Sequence, residues 1–271
     1  MHERISINAL CFWGAPLSEV ADNWRELRPH RVGFMSQLVT PDPDAAREVV
    51  EAGGYRVETI VSPFSLGRPL EANEASWVEP RAELSRAIEI GQLLGTRCIY
   101  MTTGGHGSLT TFEAAAEVFA RAIEPCVEQA KAAGIALLIE NALALYADAH
   151  IAHSLRDTVT LAEMAGIGVC MDFFGCWAEA GLEETIERAG PRLGLVQVAD
   201  YVYGDRSLPS RAVPGDGVIP IKQILGWALD AGYTGGFDFE LLGPRIDQAG
   251  HLEATRRGAE HVGRLLDELG A

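Results

Sequence analysis

The sequence is poor in positive charge. It has 22 Lys and Arg against 38 Asp and Glu, which gives a formal net charge of −16. A strongly acidic surface repels nucleic-acid phosphates and anionic lipid, so neither nucleic acid nor a membrane is expected as a partner. The sequence also has no run of 18 apolar residues and no signal-peptide pattern at its start. It therefore indicates neither a membrane span nor export.

Cysteine is scarce and shows no pattern. There are five, an odd number with no C-x-x-C spacing: Cys11, Cys98, Cys126, Cys170 and Cys176. Most lie in apolar runs, which is typical of small core residues. We therefore expect a protein of the reducing cytoplasm.

Nucleotide-binding motifs are missing as well. No G-x-G-x-x-G follows the first apolar run, and G-x-x-x-x-G-K-[ST] does not occur. The segment TTGGHG at 102–107 is rich in glycine but lacks the lysine and the spacing of a P-loop. Neither a dinucleotide-binding domain nor a P-loop enzyme is indicated.

Short apolar runs alternate with amphipathic segments along the whole chain. The clearest amphipathic segment predicts a helix over 110–133, with Thr110 and Glu113 as a capping box and Gly134 as its stop. Eight apolar runs predict strands, at 4–10, 31–35, 56–61, 97–102, 135–140, 167–172, 193–198 and 235–240.

Eight nearly continuous apolar strands separated by helices indicate a parallel sheet that is covered on both faces. The count of eight favours a (β/α)8 TIM barrel over an open doubly wound sheet. No linker or low-complexity tract interrupts the pattern, so we expect a single TIM-barrel domain over residues 1–271.

Polar residues stand at the ends of the last four predicted strands. Glu140, Asp172 and Glu240 end three of them, and Gln197 lies inside the fourth, between Val196 and Val198. Active sites of such barrels lie at the carboxyl ends of the strands, where these side chains would converge. Taken singly, each could equally be a helix cap or a loop charge. Together, three carboxylates and an amide predict a divalent metal site, with Mn²⁺ favoured over Mg²⁺ or Co²⁺.

The series IEN, MDFF, VQVADY, R-x-VPGDG and GYTGGFDFE resembles the xylose-isomerase-like TIM barrels, the sugar phosphate isomerase/epimerase and AP endonuclease family 2 superfamily. The resemblance implies metal ligation by Glu140, Asp172, Gln197 and Glu240, with the two glutamates also acting as the catalytic acid/base pair. It also implies a substrate-binding role for Arg211.

Two positions depart from the epimerases of that family. They commonly carry His where this chain has Gln197, and a Gln there resembles the dehydroshikimate dehydratase branch. They also carry His three residues after the Asp ligand, where this chain has Gly175. The AP endonuclease branch, with three zinc ions and many histidines, is excluded by the seven histidines and the charge of −16.

The chemistry shared by the family is proton abstraction next to a carbonyl. We expect a metal-dependent isomerase or epimerase of a keto-sugar or cyclitol. A lyase (a dehydratase, or elimination of a 3-oxo-glycoside) and a non-catalytic sugar-binding barrel or subunit are the alternatives. A homo-oligomer and a partner subunit both stay open.

Further side chains on the loops after the strands complete the predicted site. His106 is the candidate catalytic acid, with His150 and His153 as alternatives, because a histidine can transfer protons near neutral pH. The candidate substrate-binding residues besides Arg211 are His153, Trp13 and Arg245.

Overall fold

The computed structural model describes residues 1–65 and 67–271. Eight parallel strands close into a barrel in which each strand pairs with the next barrel strand along the chain, and the last pairs with the first. The predicted (β/α)8 TIM barrel is confirmed. The barrel strands are β1 Ile5–Asn8, β2 Arg31–Met35, β3 Arg56–Val61, β4 Cys98–Met101, β5 Ala136–Glu140, β6 Gly168–Asp172, β7 Leu193–Val198 and β10 Phe237–Phe239.

Two further strands lie outside the barrel, in the loop after β7. β8 (Asp200–Tyr201) pairs with β9 (Arg211–Ala212) as a short antiparallel ribbon. This ribbon was not predicted, because two-residue strands are too short to show a periodic pattern.

Helices cover the outside of the barrel. They are α1 Leu17–Leu27, α2 Ser36–Val39, α3 Pro43–Gly53, α4 Val78–Leu94, α5 Phe112–Ala133, α6 Leu155–Ala165, α7 Phe173–Cys176, α8 Leu182–Ala189, α9 Ile221–Asp230, α10 Pro244–Ala249 and α11 His251–Leu269. In the described part of the chain, none combines the length and apolar character needed to cross a bilayer.

The ends of α5 show how local side chains set a helix. The predicted cap is one residue early, since Thr111, not Thr110, accepts a hydrogen bond from the Ala114 N–H. Gly134 ends the helix as predicted, with a left-handed φ of 72°.

The N-terminal end of the barrel is closed by a buried charge cluster. The Glu58 carboxylate pairs with Arg31 and Arg97 and accepts the Gly236 N–H. Burial alone would raise the pKa of Glu58, but Arg97, the Gly236 N–H and Arg31 outweigh it and lower the pKa. In TIM barrels the N-terminal end contributes to stability, and the active site lies at the C-terminal end of the strands.

Candidate functional site

The interior of the barrel leads directly to the predicted site residues. A small buried cluster of Cys98, Tyr100, Leu138, Cys170 and Leu195 fills the inside of strands β4 to β7. Side chains alternate along a strand, so the residues two positions further on also point inward. Those after Leu138, Cys170 and Leu195 are Glu140, Asp172 and Gln197. Their inward direction thus follows from the strand period.

Strand register aligns these side chains at the C-terminal end of the barrel, which we call the mouth. Asp172 pairs with Gln197 across β6 and β7. On the other side, Gln197 pairs with Asp238 of β10, and Glu240 lies two residues beyond. Glu140 is the last residue of β5.

Arg211 is the cation of this cluster. It lies on the β8–β9 ribbon, and its side chain is only 8% exposed. Its guanidinium donates to both Asp172 oxygens, at 3.2 and 2.9 Å, and Nη2 also donates to Glu240 Oε1 at 2.8 Å. It also lies 4.7 Å from the centre of the Phe174 ring. These carboxylates raise the pKa of Arg211 against the effect of its burial, so it stays charged.

The Gln197 amide is fully buried and hydrogen-bonded at both ends. Its Oε1 accepts from the Cys170 Sγ–H at 3.2 Å, and its Nε2 donates to Glu240 Oε2. Gln197 therefore orients Glu240 in this arrangement. Its role as a metal ligand stays a prediction.

Glu140 and Glu240 are the two glutamates of the mouth. Burial, followed by the charges of Glu240 and Asp172, raises the pKa of Glu140 well above its usual value. Burial also raises the pKa of Glu240, although Arg211 opposes the shift. In the described residues Glu140 has no ion pair, whereas Glu240 is paired with Arg211. The two glutamates of the mouth thus differ in their surroundings, because only Glu240 has a positively charged partner among the described residues.

The donor set fits a divalent cation by its chemistry. Three carboxylates and an amide oxygen are hard ligands, and the charges of neighbouring carboxylates add to burial in raising the pKa of Glu140 and of Glu240. The side chains are arranged around Arg211, however. Within residues 1–65 and 67–271, no group of three or more His, Cys, Asp or Glu is positioned to hold a metal ion.

Asn141 explains the glycine at position 175. Its side chain donates to the Asp172 carbonyl at 2.9 Å and accepts the Asp172 N–H at 3.0 Å. A Cβ on Gly175 would come within 2.6 Å of Asn141 Nδ2. The side chain that fixes the backbone of Asp172 therefore occupies the space that a larger residue at 175 would need.

The three candidate histidines lie in different environments. His150 is fully buried, and its Nδ1 accepts the Thr103 N–H at 3.1 Å. Burial, with His153 next in effect, lowers the pKa of His150 to about 3, so this ring is neutral and serves the structure. His153 contacts the Ala142 carbonyl through Nδ1 at 3.2 Å. His106 is half-buried.

We expect His150 to make the fold acid-labile. Its pKa is lower folded (about 3) than unfolded (about 6.5), so the unfolded chain takes up the proton first. The free energy of unfolding should then fall as the pH drops from about 6.5 towards 3, by up to about 1.4 kcal/mol per unit of pKa difference. Urea unfolding between pH 4 and 8 measures this slope.

His150→Asn is the matched variant. Its side-chain oxygen can accept the Thr103 N–H but does not titrate. The variant should lose stability at pH 8 and show a flatter pH dependence below 6.5. Parallel curves for the two proteins would contradict the assignment.

The remaining predicted residues lie at the rim of the mouth. Trp13 is 58% exposed at the end of the 3₁₀ turn after β1. Arg245 pairs with Asp205, and the bonds from Ser207, followed by Arg245, lower the pKa of Asp205 to about 2. In the described residues, no hydrogen bond or ion pair joins any of His106, His153, Trp13 and Arg245 to the mouth carboxylates of Glu140, Asp172 and Glu240. Their catalytic and binding roles stay predictions.

Tyr100 lies beside the glutamates of the mouth, and the sequence did not single it out. Its hydroxyl is buried close to Glu240, without a hydrogen bond of good geometry among the described residues. Burial, and then the charges of Glu240 and Glu140, raise the pKa of Tyr100 well above its usual value. Its position in an apolar strand gave no signal, because tyrosine is an ordinary core residue.

Comparison with known proteins gives fold and family. No curated protein matches the sequence. A protein from Sinorhizobium meliloti 1021 is 22% identical, with 98% of each chain covered and a TM-score of 0.82. The IolI protein with a bound zinc atom is 13% identical, with 98% of this chain and 99% of that chain covered and a TM-score of 0.81. D-psicose 3-epimerase, solved in the presence of D-fructose, is 18% identical, with 99% and 100% covered and a TM-score of 0.80.

The family model described as "Xylose isomerase-like TIM barrel" matches residues 17–265, nearly the whole chain, including Glu140, Asp172, Gln197, Arg211 and Glu240. The protein therefore belongs to the xylose isomerase-like TIM barrel family.

Proposed function

We propose that the protein is an isomerase or epimerase of a keto-sugar or cyclitol that works by proton abstraction next to a carbonyl. The observation that carries this proposal is the pair Glu140 and Glu240, two carboxyls at the same end of the barrel, of which only Glu240 is paired with Arg211 in the described residues; burial raises the pKa of both. A raised pKa brings a carboxyl closer to neutrality, where it is most effective as a general base or acid.

Glu140 is the better candidate for the base, because Glu240 already accepts hydrogen bonds from Arg211 and Gln197. Its carboxylate takes the proton from carbon, and the electron pair moves onto the carbonyl oxygen. Glu240, held by Arg211 and Gln197, is then the candidate to return a proton to the substrate.

Arg211 is suited to hold a substrate oxygen. Its terminal nitrogens are bound to Asp172 and Glu240, but its Nε is buried without a partner among the described residues. A buried N–H without an acceptor is costly, so a substrate oxygen at this position would gain a charge-assisted hydrogen bond.

Glu140, Asp172, Gln197 and Glu240 are the residues that would hold a divalent cation, with Mn²⁺ as the favoured ion. When bound, such an ion stabilises the negative oxygen of an enolate. Zinc in the IolI protein supports a metal in this fold, and the D-fructose of the psicose epimerase structure supports a sugar substrate.

Deuterium exchange tests the proposal. The protein, loaded with Mn²⁺, is incubated in D₂O with ketoses, inososes and 3-oxo-glycosides, and the products are followed by NMR. We expect deuterium at the carbon next to the carbonyl without loss of a group. Release of water or of an aglycone would identify a lyase instead, and no exchange with any compound would favour a binding protein.

A further inference from the structure

A path of aromatic rings leads from Arg211 to the surface. It begins at Phe174, whose ring lies under the guanidinium. The Tyr201 ring lies 6.4 Å from Phe174, and Trp177 and Tyr203 lie 6.2 and 6.4 Å from Tyr201. Exposure increases along it: Phe174 is buried, Tyr201 and Trp177 are half-buried, and Tyr203 is 72% exposed. We call these four rings the aromatic path.

The backbone under the path is held in place. The Asp200 carboxylate accepts the N–H groups of Tyr201, Gly215, Gly217 and Ile219, at 2.8 to 3.0 Å. A Cβ on Gly217 would come within 2.3 Å of Asp200 Oδ1, so only glycine fits there. Asp200 thus fixes the ribbon that carries both Arg211 and Tyr201.

The side chain of Tyr201 is fixed as well. Its hydroxyl donates to the Asp205 carbonyl at 3.1 Å and accepts from Arg206 at 2.9 Å. The ring is therefore held in place among its three aromatic neighbours, which lowers the ordering cost of binding a ligand.

The path ends in exposed apolar surface. Tyr203 and Leu208 of the same loop are 72% and 58% exposed. Small-molecule sites are lined mainly by apolar and aromatic side chains with a few polar groups that set orientation. A series of four rings that starts at the Arg211 guanidinium and ends at an exposed side chain has this composition.

We propose that the aromatic path binds a ring substituent of the substrate, so that the substrate is a glycoside or ring-substituted keto-sugar and not a free monosaccharide. This rests on the proposed function for the position of the reacting sugar at Arg211. Continuity with Arg211 favours a substituent of the substrate over a second protein chain. The flat apolar face common to aromatic rings and to sugar rings is what the path would recognise.

Binding of matched glucosides tests the inference without requiring turnover. Affinities for phenyl β-D-glucopyranoside, cellobiose and methyl β-D-glucopyranoside are measured by calorimetry. The phenyl or the cellobiose ligand should bind about tenfold more tightly than the methyl one, a difference of about 1.4 kcal/mol, which lies within the range for one aromatic contact. The better of the two identifies the substituent as an aromatic or a sugar ring.

Tyr203→Ala should abolish this tenfold preference, because it removes the outer ring at an exposed position that the fold does not need. Tyr203→Phe keeps the ring and should retain the preference. Met164→Ala, an exposed apolar residue of α6, is the control and should leave the preference unchanged.

Three results would overturn the inference: equal affinity for all three glucosides, no binding of any of them, or a Tyr203→Ala protein that keeps the preference. If Tyr203→Ala changes the oligomeric state in light scattering while the preference is unchanged, the surface is an interface between copies. A ring preference in a protein that exchanges no deuterium would refute the proposed function alone.

Discussion

Replacing Glu140 by glutamine is expected to lower the rate of deuterium exchange into the substrate by about 10²–10⁴-fold, the usual contribution of a general base. Glutamine keeps the shape of the side chain but cannot take a proton. The loss should appear in kcat, because a proton acceptor acts in the transition state and contributes little to the binding of the ground state. Exchange measured by NMR in D₂O at saturating substrate gives this number.

Glu240→Gln should lose activity to a similar degree; its side-chain oxygen can still accept from Arg211, but its NH₂ group would then face the Gln197 Nε2 that donates to Glu240 Oε2. Glu179→Gln is the matched control. Burial also raises the pKa of Glu179, but its carboxylate accepts the Leu155 N–H at the start of α6, and in the described residues no hydrogen bond or ion pair joins it to Glu140, Asp172, Arg211 or Glu240. A Glu140→Gln protein that exchanges deuterium as fast as the Glu179→Gln protein would remove Glu140 from the mechanism.

The barrel was predictable from the sequence because each of its strands is an apolar run with polar flanks. Each of the eight predicted runs contains one barrel strand. Errors arose where one side chain overrides the pattern: β1 ends at Asn8 and not at residue 10, since the Asn8 side chain accepts the Leu10 N–H and starts a 3₁₀ turn. Such a local bond leaves no periodic signal.

The inward direction of Glu140, Asp172 and Gln197 was also predictable, because the barrel rule and the strand period together determine it. The partner of Asp172 was not predictable from spacing. Arg211 is 39 residues further along the chain and reaches Asp172 only because the β8–β9 ribbon folds back over the mouth. The family resemblance implied a substrate-binding role for Arg211, and the structure shows that its guanidinium contacts Asp172 and Glu240.

The structure distinguishes the histidines by their burial, which the sequence does not reveal. His150 and His153 lie three residues apart in one polar loop, so their patterns look alike. Only the packed structure places His150 under the β4 loop, where Thr103 binds it and its charge is suppressed.

Replacing Arg211 by methionine is expected to be the most destabilising change at the mouth, at about 3–5 kcal/mol, the cost of removing one partner of a buried ion pair. Asp172 and Glu240 would then be left with no cation in a site where burial already raises the pKa of Glu240. Urea unfolding at pH 7 with a chelator present measures the loss.

Arg245→Met is the matched control for this loss. It also removes an Arg–Asp pair, but Arg245 is 45% exposed while Asp205 is 8% exposed, and a pair with one solvated partner is expected to contribute less than a pair buried on both sides. Equal losses in the two variants would show that the Arg211 pair contributes no more than a surface pair.

Added Mn²⁺ should stabilise the Arg211→Met protein more than the wild type. In the wild type Arg211 already binds Asp172 and Glu240, so a divalent ion has to compete with the guanidinium for these oxygens. In the variant no cation is bound to these oxygens. Mn²⁺ should then bind the folded protein more tightly, and tighter binding raises the free energy of unfolding further. An equal gain in the variant and the wild type would contradict the competition with Arg211, and an Arg211→Met protein that gains no stability from Mn²⁺ would exclude Asp172 and Glu240 as the proposed ligands.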